Sequence, residues 1–289
     1  MGIPSDKVLL LLSKKKLDRM CPMGVYDSTD QCEFVCIDPT CDIPTQVAGF
    51  ETTTILHKIT DWAESNPEVI EAARELTNPT PCSVDSQLAC TDRWDLQQAF
   101  IAAGVNVPRM YLIEPSANEM PRLNYPQILK TRVACGTVAS HHMAVVSSAK
   151  ELEEFRREHR EDAVCAQDFI PHGGIIYKVF VIGGEVRLDI RPSLGDDAVG
   201  KSFDSQNMKG IVVQQKPSVD PSGVDINKVK DIALKVDGKL GLGLFGLDLI
   251  VGSRDQKYYV VDVNYFPTFK GVDGLPKLIR QLLLHQQQQ

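Results

Sequence analysis

The chain has 289 residues, 43% of them hydrophobic, enough to bury cores in about two or three compact lobes. Its formal net charge of −7 argues against general affinity for nucleic acid or anionic membranes, so a polyanionic ligand needs a locally positive site. No apolar run approaches the ~20 residues of a membrane span, and Val8–Leu12 is shorter than the roughly 7–15 of a signal-peptide core; the expectation is a cytoplasmic protein with no membrane or nucleic-acid partner.

The first hundred residues alternate short apolar strands (Val8–Leu12, Glu33–Ile37, Thr53–His57) with polar, helix-like stretches, the pattern of a small α/β lobe. Asn66 and Pro67 mark a helix start, followed by Val69, Ile70, Ala73 and Leu76 at helical spacing. A second helix runs from Thr91, with Leu96, Phe100 and Ala103 on one face and Gly104 as its stop. Cysteines at 21, 32, 36, 41, 82, 90, 135 and 165 lack paired CxxC spacing and read as reduced thiols; metal binding by Cys32, Cys36 and Cys41 is the weaker alternative to small hydrophobes near a strand.

From Gln127 onward strands dominate: Gln127–Lys130, Met143–Val146, Val164–Phe169, Ile175–Ile182, Glu185–Ile190, Leu244–Val251 and Lys257–Val263, largely antiparallel. Gly195–Asp225 shows little periodicity and reads as a long, mobile loop. Ile226, Val229, Ile232, Val236 and Leu240 mark a helix, and Val272–Leu284 the last one.

Three constellations could carry chemistry. Gly183-Gly184 is a two-residue hairpin signal that sets Lys178 opposite Asp189 and places Lys178, Arg187, Asp189 and Arg191 on one strand face. By itself this also suits a half-exposed sheet with solvated charges. Asp248 and Asp262 sit in otherwise apolar strands, where unpaired carboxylates are costly. Alternation puts Asp262 and Asn264 on one face, and Asp248 can join them from a neighbouring strand; these oxygens suit Mg²⁺ held together with phosphates, or else cap turns or pair with buried cations. Lys130, at a strand end before the small-residue loop Cys135-Gly136-Thr137, can neutralise phosphate, although a surface loop suits the segment equally and His141 alone suits a structural role.

Together the segments resemble the inositol 1,3,4-trisphosphate 5/6-kinase and inositol-tetrakisphosphate 1-kinase family, from about Leu11 to Val272. The resemblance is carried by His57-Lys58-Ile-Thr, Lys130-Thr-Arg-Val-Ala-Cys-Gly-Thr, Gln167-Asp-Phe-Ile-Pro-His-Gly-Gly, Tyr177-Lys-Val-Phe-Val, Arg191-Pro-Ser-Leu and Asp262-Val-Asn-Tyr-Phe-Pro, in this order. It implies an α/β (α+β) ATP-grasp fold with an N-terminal α/β lobe (1–92), a central lobe (93–167) and a C-terminal lobe with the metal site (168–289), the last two mainly antiparallel sheets enclosing ATP. Arg93, Lys130, Gln167 and Ser193 would contact ATP, with Lys178 and Ser205 also reaching it. Asp248 and Asp262 would bind one Mg²⁺, and Asp262 and Asn264 a second. Lys16, Lys58, His141, Lys178, Arg191 and Asn264 would hold the inositol polyphosphate substrate, and Lys178, Asp262 and His141 would be the catalytic set of a monomeric enzyme. Cys135, Thr268 and a short Gly195–Asp225 segment depart from the family pattern. An ATP-grasp carboxylate–amine ligase and a catalytically weak inositol-phosphate-binding protein are the competing readings; the first would not require the extra Lys16, Lys58, His141 and Arg191, and the intact Asp248, Asp262 and Asn264 argue against the second.

Overall fold

The computed structural model describes residues 6–29, 32–62, 65–117, 120–134, 139–205, 211–212 and 224–287. Cys135, Gly136 and Thr137 of the small-residue loop, and most of 206–223, lie outside these.

The first lobe runs β1 (Asp6–Leu11), α1 (Lys14–Met20), β2 (Cys32–Cys36), α2 (Ile43–Val47), β3 (Ile55–His57), α3 (Pro67–Glu75) and α4 (Val84–Ala89). Its strands form a parallel sheet in the order β2-β1-β3. The central strand is covered on both faces, which is why Val8 to Leu12 is a continuous apolar run and not an alternating one. Beyond the strand Ser13 caps α1: its hydroxyl accepts the Lys16 N–H at 3.2 Å and donates to Asp61 at 2.5 Å. Lys16 and Lys58 thus leave the carboxyl ends of two adjacent parallel strands, the edge where open α/β sheets bind ligands. Asn66 precedes α3 but makes no capping hydrogen bond with its side chain, and Pro67 alone marks the first turn.

The middle of the chain supplies α5 (Arg93–Ala102), β4 (Met110–Ile113), β5 (Gln127–Thr131), β6 (His142–Val146), α6 (Ala149–Glu158) and β7 (Val164–Asp168). The expected start of α5 near Thr91 moves to Arg93 because the Asp92 carboxylate caps it, accepting the N–H groups of Trp94 and Asp95 at 2.9 and 3.0 Å. Then follow β8 (Ile175–Ile182), β9 (Glu185–Pro192), β10 (Lys201–Asp204), α7 (Ile226–Leu240), β11 (Leu244–Val251), β12 (Tyr258–Tyr265) and α8 (Leu275–Gln286). Two antiparallel sheets result, β10-β6-β5-β7-β4 and β12-β11-β8-β9.

One expectation is corrected here. The stretch read as a structureless loop contains β10, which pairs Lys201–Asp204 with His142–Val145 of the preceding sheet. Four residues are too few to show a period, and this edge strand is fixed by its partner. The last helix likewise begins at Leu275, after Gly271 and Gly274 adopt positive φ of 88° and 68°.

The C-terminal sheet shares its core with the first lobe: Phe245, Val236, Ile279 and Leu283 belong to one buried cluster with Leu10 and Met20. The central sheet has a separate core around Leu129, Phe155 and Val164. Among the described residues seven cysteines are free, and no helix is long and apolar enough to cross a membrane.

Candidate active site

The expected β8–β9 hairpin forms with Gly183 and Gly184 at φ of 57° and 82°, the left-handed pair a tight turn requires, and Lys178 lies opposite Asp189. On its other side β8 pairs with β11, which sets Lys178 beside Asp248, and β11 pairs with β12, which sets Asp248 beside Asp262 and Gly246 beside Asn264. Opposed residues of an antiparallel ladder share a face, so one strip of the sheet carries Asp189, Lys178, Asp248 and Asp262, with Phe180, Gly246 and Asn264 in the row beside it. The register shifts at Asp248/Leu249, a bulge that falls at the carboxylates. A Cβ on Gly246 would lie 3.1 Å from Pro267 Cγ, close enough that Pro267 would have to give by a few tenths of an ångström, and in ordinary contact with the Phe180 ring at 3.6 Å.

Lys178 is the partner the buried carboxylate needs: its Nζ donates to both oxygens of Asp248 at 2.7 Å. The Asp248 carboxyl is still raised above its ordinary range, chiefly by desolvation, with Lys178 opposing and Asp262 adding to the rise. Asp262 accepts from Asn264 Nδ2 at 3.0 Å. One lysine offsets two facing carboxylates, and the hard oxygen donors left over suit a divalent cation.

On one side of this strip lies a cavity of about 510 Å³. Ile128, Met143, Leu194, Phe203 and Ile250 give it apolar walls, and Arg93, Lys130, Gln167, Ser193 and Ser205 all line it. Lys130 donates to Gln167 Oε1 at 3.0 Å, and burial, reinforced by Arg93, lowers its ammonium to about 8. Arg93 also braces the cavity wall, donating to the carbonyls of Thr131, Val133 and Ser140 at 2.6, 2.9 and 3.0 Å. The sequence reading missed His172. Its Nδ1 can only donate to the Ile170 carbonyl at 2.7 Å, which in the neutral ring leaves Nε2 to accept the Ser193 hydroxyl at 3.0 Å and fix its direction. His141, expected beside the substrate, lines this larger cavity, and its carbonyl accepts the Ser205 N–H at 2.8 Å.

On the other side lies a smaller cavity of about 330 Å³, lined by seven cationic side chains and only two acidic ones. Lys16, Lys58, Lys178, Arg191 and Asn264 of the expected substrate set meet there, without His141. Their charges are already committed. Lys58 pairs with Asp61 at 3.1 Å, and Arg191 with Asp189 at 2.7 Å. Lys16 is 4% exposed, donates to the carbonyls of Phe266 and Pro267 at 2.7 and 2.8 Å, and lies 3.7 Å from the Phe266 ring centroid. Burial, together with Lys58, lowers it to about 6, and Asp61 opposes them. The two cavities share Lys178, Asp248 and Asn264. Phe180 shares the charged face but is 5% exposed, and the alternation of the strand alone did not single it out.

The family model of the inositol 1,3,4-trisphosphate 5/6-kinase ATP-grasp domain matches residues 104–285. The chain belongs to this family. It is 28% identical over 305 residues to inositol-tetrakisphosphate 1-kinase 2 of Oryza sativa subsp. indica, covering 96% of this chain and 80% of that one. Against inositol-tetrakisphosphate 1-kinase of Xenopus laevis it is 31% identical over 181 residues, 56% of this chain and 42% of the relative. The fold is that of the ATP-grasp ligases: D-alanine–D-alanine ligase from Bacillus anthracis superposes with a TM-score of 0.65 at 16% identity, covering 98% and 99% of the two chains.

Proposed function

We propose that the chain is an ATP-dependent kinase that phosphorylates ring hydroxyls of inositol polyphosphates, in the inositol 1,3,4-trisphosphate 5/6-kinase and inositol 3,4,5,6-tetrakisphosphate 1-kinase reactions. One observation carries this reading: a cation-lined cavity and a larger, partly apolar cavity meet at Lys178, Asp248 and Asn264. A phosphoryl group held at that junction can leave a nucleotide on one side and reach a hydroxyl on the other without crossing water. Phosphoryl transfer asks a protein mainly for positioning and charge neutralisation, and the junction supplies both.

The nucleotide would occupy the larger cavity, its base against Ile128, Leu194 and Ile250 and its phosphates near Lys130, whose desolvated ammonium gains most from an anion. Asp248, Asp262 and Asn264 fit two Mg²⁺ ions by donor chemistry and by their common face, with Asp262 shared. Bound there, Mg²⁺ would neutralise charge on the phosphate oxygens. Lys178 faces both cavities and is the group placed to follow the transferred charge. Lys58 and Arg191, each held by its own carboxylate, would orient the inositol phosphate; His141 would approach from the nucleotide side. Of the lobes 1–92, 93–167 and 168–289, the first and third would enclose the substrate, the second and third the nucleotide, and the third would carry the metal donors.

The test is incubation of the purified protein with ATP, Mg²⁺ and a panel of inositol phosphates, followed by isomer-resolved product analysis. A parallel arm offers amino acids and scores ADP release. Product formation in the first arm supports the kinase reading, and activity in the second alone overturns it in favour of a ligase.

A further inference from the structure

Helix α1 sorts its charges. At about 100° per residue, Lys14 and Asp18 fall together on one side, where they pair at 2.9 Å, while Lys15, Lys16 and Arg19 fall on the opposite side and line the smaller cavity. Lys270, beyond the Phe266–Pro267 turn, reaches the same cavity from a segment some 250 positions later in the chain.

Of the four basic groups already assigned to this cavity, three are paired with carboxylates and the fourth, Lys16, is lowered to about 6 chiefly by burial. Lys58 has Asp61, Arg191 has Asp189, Lys178 has Asp248, and Lys16 has two carbonyls. Lys15, Arg19 and Lys270 are exposed, and among the described residues none of the three has a carboxylate within ion-pair distance. The uncompensated positive charge of the cavity therefore belongs to these three. Gathering like charges at one mouth of a protein whose net charge is −7 is unfavourable unless an anion joins them. None of the three lines the larger cavity, whereas Lys178, Asp248 and Asn264 line both.

We propose that Lys15, Arg19 and Lys270 form a phosphate-binding rim that holds phosphate monoesters remote from the acceptor hydroxyl and so selects substrates by how many phosphates they carry. This rests on the inositol polyphosphate reading above and deepens it. Arg19 is the principal contact, because a guanidinium can engage a phosphate through two parallel N–H groups, whereas the neighbouring Lys16 is consumed by the Phe266–Pro267 turn. A bisphosphate satisfied by Lys58 and Arg191 gains little from the rim. A tetrakisphosphate has groups left over that only the rim can meet.

The experiment compares wild type with Arg19→Ala, Arg19→Lys, Lys270→Ala and the triple alanine variant. Steady-state kinetics use inositol bis-, tris- and tetrakisphosphates, and calorimetry uses inositol hexakisphosphate as the binding probe, scored whether or not it is turned over. For Arg19→Ala the expected change is a rise in KM of about five- to tenfold for the tetrakisphosphate, under twofold for the bisphosphate, with the KM for ATP unmoved. Arg19→Lys should recover part of the loss, and the triple variant should bind hexakisphosphate at least ~30-fold more weakly with a shallower salt dependence. Equal losses across the three substrates, or equal hexakisphosphate binding by wild type and triple variant, overturn the rim. Rim-dependent hexakisphosphate binding without turnover of any inositol phosphate would uphold the rim and reject the kinase reading, so the two fail separately.

Discussion

The two cavities solve the binding of anions in opposite ways. In the larger one the principal cation, Lys130, is buried, rests on a neutral amide and is held below its ordinary range by desolvation, inside walls that are mostly apolar. In the smaller one the cations are numerous, and those deep in the wall are each answered by a carboxylate or carbonyl. The first arrangement recognises a ligand by a shaped, largely apolar slot with its charges gathered toward one part of the wall; the second recognises charge density. The difference teaches that a single acidic chain can hold a polyanion without becoming basic, by compensating each inner cation locally and leaving a few outer ones bare.

The strip between the cavities is where this division should break most completely. Asp262→Ala removes the donor shared by both proposed metal positions and should lower kcat by at least a thousandfold, since charge stabilisation at such a centre contributes several kcal/mol. Its thermal unfolding should stay near wild type, because Asp262 is only partly buried. Substantial Mg²⁺-dependent turnover by a folded Asp262→Ala protein would reject the metal assignment.

Lys178→Met tests the strip differently. It strands Asp248 beside Asp262, and removing one member of such a pair costs about 3–5 kcal/mol when the site is fully enclosed, somewhat less here where Lys178 is partly exposed. Adding Asp248→Asn should restore most of the lost stability in urea unfolding while leaving activity absent. If the double variant is no more stable than Lys178→Met, the two groups are not energetically coupled.

Lys58→Ala sharpens the contrast between the cavities. Lys58 lines only the smaller one, so inositol phosphate affinity should fall about tenfold while ATP affinity, read by calorimetry with a non-hydrolysable nucleotide, stays within twofold. A smaller effect than that of a free buried cation is expected because Asp61 already shares its charge.

The last test concerns Lys16. Its folded value lies near 6, below that of the unfolded chain, so between about pH 6 and pH 10 the unfolded state binds more protons and stability contributed by this site rises with pH. The melting temperature of wild type minus that of Lys16→Met should therefore increase across that range. A difference that stays flat across that range would show that the two carbonyls and the Phe266 ring hold Lys16 charged, because folded and unfolded chains would then bind the same number of protons at this site.

Much of the site was legible because it follows a period of two. Gly183-Gly184 fixed the turn, the turn fixed Lys178 opposite Asp189, and the spacing of Asp262 and Asn264 put both on one face. Phe180 and Gly246 follow from the same alternation, yet their importance depends on Pro267 arriving beneath them, which no local pattern announces. The strand Lys201–Asp204 escaped notice for a similar reason: it is held by β6 and carries too short a run to declare itself. His172 was inside a recognised motif, but its role depends on Ser193 from the end of the next hairpin.

The sequence by itself determined the residue types of the junction, the register of the β8–β9 hairpin and the family to which the chain belongs. Which cations are free to meet a ligand was decided only by tertiary structure. Lys15, Lys16 and Arg19 look alike on α1, and their fates separate because carbonyls 250 and 251 positions away are brought against Lys16 alone. Charge compensation acts over a few ångströms of space, where dielectric screening is weakest, and sequence distance carries no information about it.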